Sequence, residues 1–145
     1  MKKRVELVVK DAYDLPEYKT PGSAGLDLYA NNADAVMLKP GDRAIITTGL
    51  FMAIPEGMEA QVRPRSGLVL KHGITVMNSP GTIDSDYRGE IMVILYNGGD
   101  RNFFVNQGDR VAQLVFAKYE QVTFKEVSEL SDTKRGTGGF GHTGK

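Results

Sequence analysis

The chain has 145 residues, 18 Lys and Arg against 18 Asp and Glu, 41% hydrophobic residues and no cysteine. That length and balance describe one globular domain. They exclude a disulfide framework, a thiolate nucleophile or metal site, a membrane helix of ~20 apolar residues, and a global positive field for nucleic acid or anionic membrane. Two histidines, His72 and His142, fall short of the roughly four ligands of a structural zinc site, and the Met-Lys-Lys-Arg start lacks a signal-peptide core, so a cytoplasmic protein is expected.

In chain order the sequence reads as strands separated by turns. Val5, Leu7 and Val9 alternate with other residues and begin a first strand. Lys39-Pro40-Gly41-Asp42 is a turn leading into Ala44-Ile45-Ile46-Thr47-Thr48. A second turn at Pro55-Glu56-Gly57 precedes Met58, Ala60 and Val62, which alternate with Glu59, Gln61 and Arg63. Ser66 to His72 is the one helical candidate, with Ser66 expected as its cap and Gly73 as its stop. Ile91 to Tyr96 is an apolar run closed by Asn97-Gly98-Gly99-Asp100, a strong hairpin signal. Phe103-Phe104-Val105 follows, then Gly108-Asp109-Arg110 turns into Val111 to Phe116, and Val122-Thr123-Phe124 reads as a last short strand. Turns recurring every 8–12 residues or so favour an all-β sandwich, barrel or jelly roll.

Glycine is the compositional outlier, 17 of 145 residues. The excess over an average near 7% points to tight turns or close backbone approach to a ligand. It concentrates after Ser131, in a tail that carries five glycines and a single aromatic, Phe140, and cannot pack a core alone. The chain thus divides into a β-domain over 1–130 and a flexible arm over 131–145. Bare N–H groups beside Lys134 and Arg135 suit a phosphate cradle, although the spacing is not that of a Walker loop.

Four further segments carry polar groups in unusual company. In Ala24-Gly25-Leu26-Asp27-Leu28, alternation puts Asp27 on the face opposite the two leucines. Arg63-Pro64-Arg65-Ser66-Gly67 sets two guanidiniums and a hydroxyl at a helix start, a reasonable anion site. Asn78 to Glu90 gathers acids, an aromatic and an arginine; Asp84 and Asp86 are candidate bases for activating water. Gln113 sits inside the apolar strand after Gly108-Asp109-Arg110, where its amide needs a partner.

Taken together and in order, these five segments resemble the five motifs of the trimeric dUTPase family. The matching text is Ala-Gly-Leu-Asp-Leu at 24–28, Arg-Pro-Arg-Ser-Gly-Leu at 63–68 and Gly-Thr-Ile-Asp-Ser-Asp-Tyr-Arg-Gly-Glu-Ile at 81–91. Gly-Asp-Arg-Val-Ala-Gln-Leu at 108–114 and Arg-Gly-Thr-Gly-Gly-Phe-Gly at 135–141 complete it. The resemblance implies a jelly-roll-like β fold with one short helix, and a homotrimer whose sites are shared between subunits. It also implies a dUTP diphosphatase that releases dUMP and pyrophosphate with Mg²⁺, keeps uracil out of DNA and supplies dUMP for dTMP synthesis.

Residue by residue, the resemblance implies that Asp84 holds and deprotonates the attacking water and that Tyr87 lies under the deoxyribose. Asn78 and nearby backbone of a 74–87 hairpin, with Gly81, Thr82 and Ile83, read the uracil edge, and Met92 is a further substrate-binding residue. Arg65, Ser66, Gly67 and Gln113 contact phosphates, and Asp27 holds Mg²⁺ through water. The arm closes over the nucleotide, with Phe140 stacked on uracil and Arg135, Gly138 and Thr143 at the β- and γ-phosphates, and Gly141 also binds substrate. One position departs: the family's last motif usually continues Phe-Gly-Ser-Thr-Gly, and His142 stands here in place of the serine. The rival readings are a dCTP deaminase of the same fold, which needs a different acid–base set at the pyrimidine, and a non-catalytic capsid-like trimer, which has no use for Asp84.

Overall fold

The computed structural model describes residues 3–142 and 144. Its strands are β1 (Glu6–Val9), β2 (Gly25–Tyr29), β3 (Val36–Leu38), β4 (Arg43–Ala53), β5 (Met58–Arg63), β6 (Ile74–Val76), β7 (Gly81–Ile83), β8 (Glu90–Asn97), β9 (Phe103–Val105) and β10 (Arg110–Lys118), with one helix, α1 (Ser66–His72). They form two four-stranded sheets, β1-β4-β8-β6 and β2-β10-β5-β7, and a two-stranded ribbon of β3 and β9. All pairings are antiparallel, so the all-β expectation holds.

The core lies between the two large sheets. Leu28, Val62, Ala112 and Leu114 face Ile46, Leu50, Ile91, Val93 and Leu95 in one buried cluster. Each Leu, Ile and Val among them contributes about 1.5–3 kcal/mol by leaving water. The uninterrupted apolar run of β8 therefore has two faces: Ile91, Val93 and Leu95 point into the core, while Met92 and Ile94 point away from it.

Several local expectations are corrected. The helix is capped at Arg65 rather than Ser66: Arg65 has extended backbone (φ −91°, ψ 124°), its carbonyl accepts from the Leu68 and Val69 N–H groups, and no side chain caps it. Gly73 does stop the helix, in the left-handed conformation at φ 68° that suits glycine. Residues 74–87 are not a hairpin, because β6 pairs with β8 in one sheet and β7 with β5 in the other. Nor does Asn97–Asp100 close a hairpin. After it the chain leaves for the β3–β9 ribbon, whose first strand the sequence reading missed. Val122–Phe124 is not a strand: it has no pairing partner, and both apolar residues are exposed. The strand at β1 exists, but it is an edge strand exposed along its whole length.

Asn97 explains the misread turn. Its side chain is fully buried and donates to the Leu38 (2.9 Å) and Arg101 (2.8 Å) carbonyls while accepting from the Gly99 N–H (2.9 Å). It ties β8 to the ribbon instead of turning back. Asn97→Leu keeps the volume but orphans two carbonyls and an N–H, so a loss of about 3 kcal/mol is expected. Urea unfolding at fixed protein concentration should show a lower midpoint with unchanged slope.

Candidate active site

The outer face of β8 and the end of β7 border an apolar recess of about 240 Å³. It is lined by Ile45, Thr82, Ile83, Asp84, Tyr87, Glu90, Met92 and Ile94. Five of these, Thr82, Ile83, Asp84, Tyr87 and Met92, are residues the sequence assigns to the substrate or the attacking water. Ile45, Glu90 and Ile94 were missed, although the two-residue period of β8 already put Ile94 beside Met92. Asp84 stands exposed at the rim, and among the described residues its carboxylate has no ion-pair partner, which leaves it free to hold water. The loop beyond it is braced. The Tyr87 N–H donates to the Asp84 carbonyl (3.2 Å), and Arg88 Nη1 donates to the carbonyls of Ser85 (2.7 Å) and Tyr87 (3.1 Å). Asn78 is exposed beside Gly81, where an added Cβ would stand 3.1 Å from Asn78 Nδ2, so the glycine leaves room for the amide.

A second cluster forms on the other edge of the β2-β10-β5-β7 sheet. Asp27, Gln113 and Arg63 lie side by side in one row across β2, β10 and β5. Asp27 faces away from Leu26 and Leu28 as expected, but it is not a freely solvated acid. Its oxygens lie 3.4 Å from Arg65 Nε and 3.4 Å from Arg110 Nη1, and its side chain is only 16% exposed. Arg110 was missed, its Gly-Asp-Arg context reading as a turn. Gln113 Nε2 donates to the Pro64 carbonyl (3.0 Å), and Arg65 Nη1 donates to the Arg110 carbonyl (3.0 Å), so motif pieces far apart in sequence brace one another. Gly25 makes space for Gln113: a Cβ there would meet Gln113 Oε1 at 2.3 Å. Ser66 and Gly67 are exposed in the first turn of α1. Two guanidiniums against one carboxylate leave the cluster net positive, suited to an anion.

The two clusters lie toward opposite edges of the sheet. Ile83 pairs with Ala60 and Gln113 with Arg63, which puts Asp84 two strands across and four residues along from Gln113, roughly 16 Å at ordinary sheet spacings. The tail is separate again. Its hydrogen bonds are local, from the Gly138 N–H to the Arg135 carbonyl (3.2 Å), from Arg135 Nε to the Gly138 carbonyl (2.9 Å) and from the His142 N–H to the Gly139 carbonyl (3.1 Å). Lys134, Arg135, Gly141 and His142 border one open recess, while the Phe140 side chain is entirely exposed. Thr143 lies outside the described residues.

The dUTPase family model matches residues 11–144. The chain belongs to the dUTPase family. It is thereby an enzyme of the dUTP diphosphatase class. Among curated relatives, a deoxyuridine 5′-triphosphate nucleotidohydrolase of Chlamydia pneumoniae is 61% identical over 132 residues, covering 90% of this chain and 91% of the relative. One of Fusobacterium nucleatum is 51% identical over 146 residues, covering both chains completely. The solved dUTPase of Staphylococcus bacteriophage 80alpha with dUPNHPP superposes with a TM-score of 0.89 at 25% identity, covering 99% of this chain and 100% of the other.

The family implies Mg²⁺, and the dUTPase-family chain fits it in one way. Among the described residues no three His, Asp or Glu side chains converge as metal ligands. Asp27 is a lone carboxylate already engaged by two arginines, too little for direct coordination. An ion that keeps much of its water and takes its remaining ligands from substrate phosphates would suit such a carboxylate, which would hold a hydrating water rather than the metal.

Proposed function

We propose that the chain hydrolyses dUTP to dUMP and pyrophosphate by attack of an Asp84-held water on the α-phosphorus. The observation that carries this reading is the unpaired Asp84 carboxylate at the mouth of an apolar recess that also holds Tyr87. The water oxygen bonds to phosphorus, its proton passes to Asp84, and the bond from the α-phosphorus to the bridging oxygen breaks to release pyrophosphate. Ser66 and Gly67 stand by that bridging oxygen, where charge grows, with Arg65 and Gln113 on the phosphates. Mg²⁺, held through water by Asp27, supplies positive charge to the triphosphate when bound.

The recess selects the nucleoside. Asn78, with Gly81, Thr82 and Ile83 of β7, reads the uracil edge, Met92 closes the floor, and Tyr87 under the deoxyribose leaves no room for a 2′-hydroxyl. Steric exclusion of a thymine methyl at that edge discriminates more strongly than the ~1–3 kcal/mol of a lost methylene contact. The phage relative's dUPNHPP, a dUTP analogue, supports a triphosphate occupant.

The working form is a homotrimer with sites shared between subunits. Asp84 and the phosphate cluster stand at opposite edges of the sheet, with the Asp84 and Gln113 backbones some 16 Å apart, which favours drawing the second cluster from a neighbour. The unpaired Val122–Phe124 segment and the open edge of β1 are further surfaces that a second copy can cover. The arm, residues 131–145, closes over the nucleotide from a third subunit, with Phe140 on uracil and Arg135, Gly138, Gly141 and Thr143 at the phosphates. In the cytoplasm this activity removes dUTP before it enters DNA and supplies dUMP for dTMP synthesis.

Incubation with dUTP, dCTP, dTTP and UTP, with products separated by ion exchange, tests the reading. Pyrophosphate and dUMP from dUTP, with little turnover of the others, are expected. Release of dUTP from dCTP would instead indicate a deaminase, and no turnover at all a binding module.

A further inference from the structure

Gly89 follows Tyr87 by two residues and looks like an ordinary turn glycine, yet its backbone does not require one: its φ lies outside the left-handed region. What requires glycine is the neighbouring phenol. A Cβ on residue 89 would stand 2.3 Å from Tyr87 Oη, 2.5 Å from Cζ and 2.9 Å from Cε2, all far inside van der Waals contact. The Tyr87 ring is thus laid across the bare backbone of Gly89. It is pinned there by one further contact, Tyr87 Oη donating to the Glu90 carbonyl (2.9 Å). Glu90 is itself fixed, its Oε1 accepting from the N–H groups of Gly49 (2.8 Å) and Thr48 (3.2 Å) on β4. Both the carbonyl and the backbone under the ring belong to a braced strand end, whereas the ring is the far end of a flexible side chain. Any side chain at 89 is therefore relieved most cheaply by swinging the ring out and breaking the bond to Glu90.

We propose that Gly89 is a positioning residue for sugar discrimination, holding the Tyr87 ring at the mouth of the recess by leaving it room. The proposal rests on the reading above that Tyr87 abuts the deoxyribose. Ring displacement opens the space that a ribose 2′-hydroxyl needs, so the change appears in the ratio of kcat/KM for dUTP to that for UTP more than in kcat for dUTP.

Gly89→Ala, Tyr87→Ala and the double variant test it together. Tyr87→Ala and Gly89→Ala should each lower the dUTP:UTP ratio about tenfold or more, and the double variant should match Tyr87→Ala, because there is no ring left to displace. A readout independent of turnover is ¹⁹F NMR of protein labelled with 3-fluorotyrosine. The chain has six tyrosines, and the Tyr87 resonance is the one lost in Tyr87→Phe. Gly89→Ala should shift that resonance and leave the other five in place. An unshifted resonance, a wild-type ratio in Gly89→Ala, or an additive loss in the double variant would each overturn the role of Gly89 while sparing Tyr87. A wild-type ratio in Tyr87→Ala would overturn the sugar contact itself, and the inference with it. Should Gly89→Ala unfold, the clash account requires Gly89→Ala/Tyr87→Ala to fold again, and failure to do so overturns it.

Discussion

Asp84→Asn is expected to lower kcat for dUTP about 10³-fold, while KM stays within about threefold of wild type. Asparagine keeps the shape and the exposed position at the rim of the recess but accepts no proton, so the water stays in place and is not activated. The corresponding loss of transition-state stabilisation is about 4 kcal/mol. Stability should barely change, because the carboxylate has no ion pair to lose among the described residues and stands in solvent. Steady-state kinetics with pyrophosphate release as the signal checks this. Asp86, also exposed and on the same loop, is the internal control: Asp86→Asn should leave kcat near wild type, since Asp86 does not line the recess. Comparable turnover in Asp84→Asn would remove it from the role of base.

The second large effect concerns the arm. Truncation after Leu130 should abolish nearly all activity without unfolding the domain, because the tail's hydrogen bonds are local and the core lies upstream of it. Co-refolding the truncated chain with Asp84→Asn chains should then restore activity to two inactive parents. If the arm serves another subunit's site, a working site needs its recess from a truncated chain and its arm from an Asp84→Asn chain. Random assortment at equal amounts makes about one site in four complete. An arm that served its own chain would never meet an intact Asp84 in such a mixture, and activity would stay at the level of the parents. Light scattering on the mixture verifies that hetero-oligomers have formed.

What could be read in advance follows from how far each signal reaches along the chain. Leu26-Asp27-Leu28 needed only the two-residue period of a strand to place the acid away from the leucines, and Gly73 needed only its tolerance of the left-handed conformation to end α1. The same local logic failed at Asn97–Asp100. There the turn chemistry was sound, but the asparagine side chain was spent on distant carbonyls of Leu38 and Arg101. It failed again at Val122–Phe124, where β-branched and aromatic residues favour a strand that has no partner among the described residues. Gly89 is the sharpest case: its role depends on a ring two residues away folding back over it, which spacing alone does not reveal.

By itself, then, the sequence determined the chemical inventory and its local presentation. Asp84 is the candidate base, Asp27 and Gln113 are polar groups carried on strands, two arginines sit at a helix start, and the glycine arm cannot fold alone. These follow from side-chain chemistry and from periods set within a few residues. Only the tertiary structure decided which strands pair. That choice put Asp27, Gln113 and Arg63 in one row, set Arg110 against Asp27, made the outer face of β8 a recess with Ile45 and Ile94, and held Asp84 on the far side of the sheet. Pairing is decided by core packing between residues dozens of positions apart, to which no local period is sensitive.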